Sequence, residues 1–131
     1  MRQFHLLALG AAVALVALAG AARAEGDPEK GAKVFNKCKA CHEIKEAKNK
    51  VGPHLVGIVG RKAGSAEGFN YSDALKKAHD EGLVWNEETL AKYLADPKAF
   101  LPGNRMAFAG LKKEDEIEDL IAYLKKEASG S

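Results

Sequence analysis

The sequence predicts an all-α fold, and three observations support this class. Helix-capping residues precede several apolar segments, and glycine and proline divide the chain between them. No segment shows the sustained alternation of apolar and polar residues that a half-buried strand requires. Near the C-terminus, Ile117, Leu120, Ile121 and Leu124 recur at i, i+3, i+4 and i+7, so they share one helix face. The length of 131 residues allows one small domain.

The first 24 residues have the pattern of a secretory signal peptide, which we expect to be cleaved. Arg2 gives a positive start, residues 6–20 are apolar and uncharged, and Ala22-Arg23-Ala24 offers a cleavage site. The apolar run is too short for a comfortable membrane span. We therefore expect a single mature domain, residues 25–131, that is exported to the periplasm and has no membrane anchor.

Four helices are predicted, each opened by a capping side chain or by acidic residues that favour the positive helix end. Asp27 precedes the first helix, Ser72 or Asp73 the second and Asn86 the third, and three acidic residues open the last. Residues 45–68 are rich in glycine and lysine and are expected to form a loop. The first predicted helix runs from Pro28 into Cys38, and the second from Ser72 or Asp73 through Ala78. The third runs from Asn86 until Pro97, and the last from Glu114 to Lys126.

The most informative motif is Cys38-Lys39-Ala40-Cys41-His42. Two thiols at this spacing can form thioethers with the two vinyl groups of one porphyrin, and the following histidine can ligate its iron. A zinc site would need further cysteine or histidine pairs, and a redox dithiol would need a βαβ setting; the sequence offers neither. In an oxidising compartment a disulfide between the two cysteines is a competing fate. The motif favours covalent attachment of one haem c.

Met106 is the best candidate for the sixth ligand of an iron held by His42. Thioether sulfur suits the iron of electron-transfer proteins, and Met106 is the only methionine besides the initiator. It lies in a loop with proline and glycine, away from any helical apolar stripe, which fits a gap-filling methionine less well. His54 and His79 are the rival ligands.

Charge is distributed unevenly along the chain. Removing Arg2 and Arg23 from the 20 basic residues leaves 18, equal to the 18 acidic residues, so the mature polypeptide is neutral before haem is added. Residues 30–62, the lysine-rich block, carry nine basic side chains against two acidic ones and surround the cysteine motif. The block is either an ordinary solvated surface or a docking face for acidic partner proteins. The neutral total disfavours nucleic acid as a partner.

Together these segments resemble class I cytochromes c of the bacterial cytochrome c2 and mitochondrial cytochrome c type. The resemblance covers residues 27–127 and implies three main helices, with shorter helices and loops, wrapped around one covalently bound haem. Besides the cysteine motif it rests on six segments. These are Gly52-Pro53-His54-Leu55, Gly60-Arg61-Lys62-Ala63-Gly64, Gly68-Phe69-Asn70-Tyr71-Ser72-Asp73-Ala74, Trp85-Asn86-Glu87-Glu88-Thr89-Leu90, Phe108-Ala109-Gly110-Leu111 and Asp119-Leu120-Ile121-Ala122-Tyr123-Leu124-Lys125-Lys126.

The resemblance also implies roles for single residues at the haem. Cys38 and Cys41 would attach it, and His42 and Met106 would ligate the iron. Pro53 would accept a hydrogen bond from His42 Nδ1 and so fix the tautomer of that ligand.

Polar side chains are implied for the rest of the haem pocket. Arg61, Tyr71 and Trp85 would donate to the haem propionates, since partly desolvated carboxylates need such donors. Tyr93 would lie near the sulfur of the methionine ligand. Four positions depart from the usual mitochondrial pattern, namely Leu75, Ala99, Asn104 and Arg105.

The implied function is one-electron transfer without catalysis of a bond change. The electron donor would be a cytochrome bc complex or a dehydrogenase, and the acceptor an oxidase, a reductase or a photosynthetic reaction centre. Docking would be transient and the protein a monomer. Two alternatives stay open: a haem enzyme or gas sensor with an open sixth coordination position, and a haem-free helical binding module closed by a disulfide.

Overall fold

The computed structural model describes residues 25–128, so the predicted signal peptide lies outside the described residues. Within them the chain is mostly helical with very little strand. The helices are α1 (Pro28–Phe35), α2 (Asp73–Asp80), α3 (Glu87–Ala95), α4 (Pro97–Phe100) and α5 (Glu114–Ala128). Two strands, β1 (Arg61–Lys62) and β2 (Val84–Trp85), form an antiparallel pair.

Helix α1 begins where the sequence predicts it but ends earlier. The Asp27 carboxylate accepts a hydrogen bond from the Glu29 N–H at 2.9 Å, and Pro28 occupies the first turn, where its missing N–H costs nothing. The helix ends at Phe35 and so does not run into Cys38 as predicted. The chain continues in turns, in which the Cys38 N–H donates to the Phe35 carbonyl at 2.8 Å. These turns, rather than the helix, present the cysteine motif.

The first and last helices, α1 and α5, cross at Gly31. A Cβ atom at this position would collide with the Asp119 carbonyl and lie 2.7 Å from Tyr123 Cβ, so only glycine fits. Beside the crossing, the Asp27 N–H donates to Asp119 Oδ1 at 2.8 Å, and the rings of Phe35 and Tyr123 lie 5.2 Å apart. This close approach fixes the distance between α1 and α5.

Side-chain caps define where α2 and α3 begin. Ser72 Oγ accepts from the Leu75 N–H at 3.2 Å, which makes Ser72, and not Asp73, the cap of α2. At α3, the Asn86 side chain accepts from the Thr89 N–H and the Thr89 hydroxyl accepts from the Asn86 N–H, both at 2.9 Å. This reciprocal capping box satisfies two otherwise free donors.

The sequence does not predict α4, because Pro97 both prevents α3 from continuing and occupies the first position of α4. Proline cannot continue α3, which ends at Ala95, yet it is well suited to the first position of a new helix. The Asp96 carboxylate caps that new helix by accepting from the Ala99 N–H at 3.2 Å. Helix α4 leads directly into the loop of residues 101–108.

The strand pair is a correction to the prediction that there are no strands. Arg61 pairs with Trp85 and Lys62 with Val84, and the Gly60 N–H donates to the Trp85 carbonyl at 2.6 Å. Two residues per strand are too few to produce an alternating pattern in the sequence. The pair holds Arg61 beside Trp85 although the two are distant along the chain.

The buried apolar side chains form one cluster that draws on α1, α3, α5 and the loops between them. Its larger members are Phe35, Ile44, Ile58, Trp85, Leu90, Leu94, Leu111, Ile117, Leu120, Ile121 and Leu124. No helix between residues 25 and 128 is long and apolar enough to cross a membrane.

Candidate functional site

A cavity of about 520 Å³ adjoins this cluster. Its walls come from α1, α2, α3, α5 and the loops between them. Every site residue predicted from the sequence lines this cavity: Cys38, Cys41, His42, Pro53, Arg61, Tyr71, Trp85, Tyr93 and Met106. The two rival ligands, His54 and His79, do not line it. The fold thus brings together residues from five separate stretches of the chain.

The turn after α1 places the cysteine motif at the cavity wall. The N–H groups of Cys41 and His42 both donate to the Cys38 carbonyl, at 3.1 and 2.9 Å. Both cysteines are half-buried. Burial raises the pKa of the Cys38 thiol, and the neighbouring Cys41 adds to this effect. Lys50 Nζ donates to the Lys39 carbonyl at 2.8 Å and so ties the turn to the next loop.

The His42 ring is held by its Nδ1 atom. This nitrogen donates to the Pro53 carbonyl at 2.7 Å, so the lone pair of the neutral ring lies on Nε2. Burial lowers the pKa of His42, which favours the neutral form that can bind a metal. Gly52 packs against the ring, and a Cβ there would collide with His42 Cε1 and lie 2.8 Å from Nδ1.

Asn104 organises the loop that carries Met106. Its side-chain NH₂ donates to the carbonyls of Pro97 and Leu101, both at 2.8 Å, and its Oδ1 accepts from the Met106 N–H at 3.0 Å. The Tyr93 hydroxyl lies 3.9 Å from the Met106 sulfur. Burial raises the pKa of Tyr93 to about 12, so the phenol keeps its proton. Sequence reasoning noted Asn104 only as a departure from relatives, not as the residue that shapes this loop.

A contact with the neighbouring loop holds the same segment from outside. Arg105 Nη2 donates to the Asn70 carbonyl at 2.8 Å, which joins the methionine loop to the segment before α2. No sequence pattern reveals this contact, because its acceptor is a backbone carbonyl.

Arg61 is a half-buried cation at the cavity. Nη1 donates to the Val56 carbonyl and Nη2 to the His54 carbonyl, both at 2.9 Å. Its Nε is buried without a partner, the one such side-chain nitrogen or oxygen found among the described residues. A buried N–H without an acceptor is costly, which indicates that an acceptor is supplied by a group bound in the cavity.

Two aromatic residues close the same side of the cavity. The Tyr71 hydroxyl accepts from the Ala66 N–H at 2.9 Å and keeps its own proton to donate. Trp85 is 5% exposed, and its ring lies 4.8 Å from the ring of Tyr93. Both residues have a polar atom on a largely apolar body.

The residues present fit a haem c. Two thiols, an imidazole with a free Nε2, a thioether and an unsatisfied guanidinium N–H line one apolar cavity. Thiols and the imidazole suit covalent attachment and iron binding, and the guanidinium suits a propionate.

Comparison with known proteins agrees with this reading. The sequence model of the family described as Cytochrome c matches residues 28–127. Cytochrome c-550 from Ancylobacter novellus is 62% identical over 99 residues, which cover 75% of this chain and 92% of that protein. Cytochrome c2 from Agrobacterium tumefaciens (strain II Chrys) is 55% identical over 101 residues, covering 76% and 91%.

A solved structure shows the same fold. Cytochrome cH from Methylobacterium extorquens is 49% identical and superposes with a TM-score of 0.71, covering 77% of this chain and 99% of that chain. The predicted fold class is therefore confirmed. The predicted cofactor is confirmed as well: one haem c with its iron is bound covalently through Cys38 and Cys41. The chain belongs to the cytochrome c family of electron carriers.

Proposed function

We propose that this protein is a soluble periplasmic one-electron carrier whose haem iron is ligated by His42 and Met106. The observation that carries the proposal is that both side chains line the same cavity, with the His42 ring held by the Pro53 carbonyl and the Met106 backbone held by the Asn104 side chain. Two protein ligands would leave no open coordination position for a substrate. That arrangement suits electron transfer better than catalysis.

When bound, the haem supplies an iron that gains and loses one electron. The protein keeps the two iron-ligating residues in fixed positions. Pro53 orients the His42 ring, and Asn104 fixes the backbone at Met106. Little movement on a change of oxidation state is what a fast carrier needs.

Arg61, Tyr71 and Trp85 are proposed to bind the haem propionates. The support is the unpartnered Nε of Arg61 and the free hydroxyl proton of Tyr71 at the same cavity. These donors would stabilise carboxylates that are partly removed from water.

The lysine-rich block is proposed as the docking face for redox partners. Lys37, Lys39 and Lys50 are exposed, and they adjoin Cys38 and the loop after the cysteine motif. Lys37 Nζ lies 3.7 Å from Glu116, so part of its charge is compensated. Positive charge around the cavity mouth would speed association with acidic partners while leaving the complex short-lived.

The partners and the compartment follow from the family resemblance and the N-terminal sequence. The donor is proposed to be a cytochrome bc complex or a dehydrogenase, and the acceptor an oxidase, a reductase or a reaction centre. The signal-peptide pattern of residues 1–24 supports export to the periplasm, with residues 25–131 as a monomeric mature protein.

Carbon monoxide separates this function from its alternative. The ferrous holoprotein should show a reversible one-electron couple and no spectral change when carbon monoxide is added. Rapid binding of carbon monoxide by the native protein would instead indicate an open coordination position, and hence a haem enzyme or gas sensor.

A further inference from the structure

We propose that His54 is a proton-sensitive positioning residue that acts on the haem through Arg61. The inference rests on the proposed function, because it assumes that Arg61 serves a haem propionate in a one-electron carrier. His54 does not line the cavity, so Arg61 would provide its contact with a bound haem.

The hydrogen bonds around His54 define its neutral state. The Val56 N–H points at His54 Nδ1 from 3.2 Å, and Arg61 Nη1 lies 3.4 Å from the same atom. Both neighbours are donors, so Nδ1 must be the unprotonated acceptor and Nε2 must carry the hydrogen. The neutral ring therefore helps to hold the guanidinium in place.

Arg61 connects this ring to the cavity. Its Nη2 and Nη1 atoms donate to the carbonyls of His54 and Val56, so the guanidinium wraps around the 54–56 segment. Its Nε–H is buried, lacks a protein acceptor and belongs to a residue that lines the cavity. A change in protonation at His54 Nδ1 therefore affects the Arg61 guanidinium, which would bind the propionate.

Protonation of His54 would disturb this arrangement in two ways. It would place an N–H against two donors and a positive charge 3.4 Å from a guanidinium nitrogen. Arg61 is the charged side chain in the described part of the chain that faces His54; Asn49 and Val56, the other contacts, do not titrate. Burial and, second, Arg61 lower the pKa of His54, so its neutral form persists to lower pH than that of an ordinary histidine.

The sign of the effect on the potential follows from charge. Added positive charge near the iron favours the ferrous state, which has one positive charge fewer than the ferric state. When a redox partner supplies one electron, His54 Nδ1 takes up a fraction of one proton from water, and on oxidation both leave again. The potential should therefore rise as the pH falls through the pKa of His54.

Potentiometry of the holoprotein between about pH 5 and pH 8 tests the proposal, with two variants as comparisons. His54→Asn keeps an acceptor oxygen but cannot be protonated, so its potential should stay level near the wild-type value at high pH. His79→Asn removes another partly exposed histidine, which lies on α2 away from the cavity, and should retain the wild-type pH dependence.

Nitrogen NMR of the His54 ring gives a second readout that does not depend on the variants. The neutral ring should carry its hydrogen on Nε2, and its acid dissociation constant should be about threefold to tenfold larger in the ferric than in the ferrous protein. A tenfold difference would correspond to a 59 mV shift of the one-electron potential.

Three results would overturn the proposal. They are a wild-type potential that is level across this pH range, an unchanged pH dependence in His54→Asn, and a neutral ring protonated on Nδ1. Each of these can occur in a protein with a reversible one-electron couple. Failure of the proposed function would appear differently, as the absence of that couple in every form.

Discussion

His42 is constrained on two sides by neighbours in one short segment. The Pro53 carbonyl accepts from Nδ1 at 2.7 Å, and Gly52 lies against the ring without a side chain. The backbone of Gly52 does not require a positive φ, so its need for glycine comes from space alone. A single added methyl group there should therefore disturb the metal ligand and little else.

Gly52→Ala should destabilise the holoprotein by about 1–3 kcal/mol, because its Cβ would press on the His42 ring. Denaturant unfolding and the low-spin visible spectrum would measure the loss. Val51→Ala is a suitable control, since Val51 is 79% exposed and its truncation should leave stability unchanged within about 0.5 kcal/mol. Equal stability of Gly52→Ala and the wild type would show that the loop adjusts without cost.

Met106→Ala should leave the haem attached but open one coordination position. The reduction potential should fall by on the order of 0.1 V, because axial ligands set haem potentials over about 0.8 V. Carbon monoxide should then bind the ferrous variant but not the wild type. A variant with the wild-type potential and no carbon monoxide binding would mean that another side chain is the sixth ligand.

The sequence predicts which residues form the site better than it predicts the hydrogen bonds that these residues make. All the predicted residues line one cavity, because the cysteine motif and the implied roles are tied to residue type and spacing. Asn104 and Arg105 were noted only as departures. Their partners are the carbonyls of Pro97, Leu101 and Asn70 and the Met106 N–H, and backbone groups leave no trace in residue identity.

Among the elements, the crossing of α1 and α5 depends on one small residue. Gly31 allows the two helix backbones to approach so closely that a Cβ would collide with the Asp119 carbonyl. This contact lies next to the cysteine motif, which follows α1 directly. Helix separation and the position of the haem attachment site are therefore linked.

Gly31→Ala should lower the free energy of unfolding by about 1–3 kcal/mol, because the helices must move apart. The matched control is Lys33→Ala on the exposed face of the same helix, with an expected change within about 0.5 kcal/mol. Chemical denaturation of both holoproteins would measure the difference. If the two midpoints coincide, the crossing tolerates a side chain and Gly31 does not set the distance.

The sequence predicts where helices begin more accurately than it predicts where they end or where short helices and strands lie. Asp27 and Asn86 cap their helices as expected, because capping acts through the local backbone. The strand pair depends on a contact between segments that are distant along the chain. The end of α1 at Phe35 is followed by locally hydrogen-bonded turns that no residue pattern marks. Helix α4 is hidden because Pro97 ends one helix and begins the next.

At the scale of the whole molecule, charge matters by position rather than in total. Residues 25–131 carry equal numbers of basic and acidic side chains, yet the lysine-rich block adjoins the cysteine motif. A neutral protein with one positive face is oriented by the field of an acidic partner as it approaches.

Lys39→Glu should slow electron exchange with an acidic partner roughly threefold to tenfold at low salt. The effect should shrink at physiological ionic strength, where the screening length is about 8 Å. Stopped-flow mixing across a salt series would measure it, with Lys126→Glu as a variant of equal net charge outside the block. Equal slowing in both variants would mean that net charge, and not a docking face, controls the rate.

The proposed function requires that His42 and Met106 both ligate the haem iron. The most direct test is the near-infrared spectrum of the ferric holoprotein at neutral pH, where sulfur ligation gives a weak sulfur-to-iron band. We predict that the wild type shows this band together with a low-spin visible spectrum, and that Met106→Ala lacks the band. A wild-type ferric protein without the band, or a band that survives in Met106→Ala, would show that Met106 is not the sixth ligand.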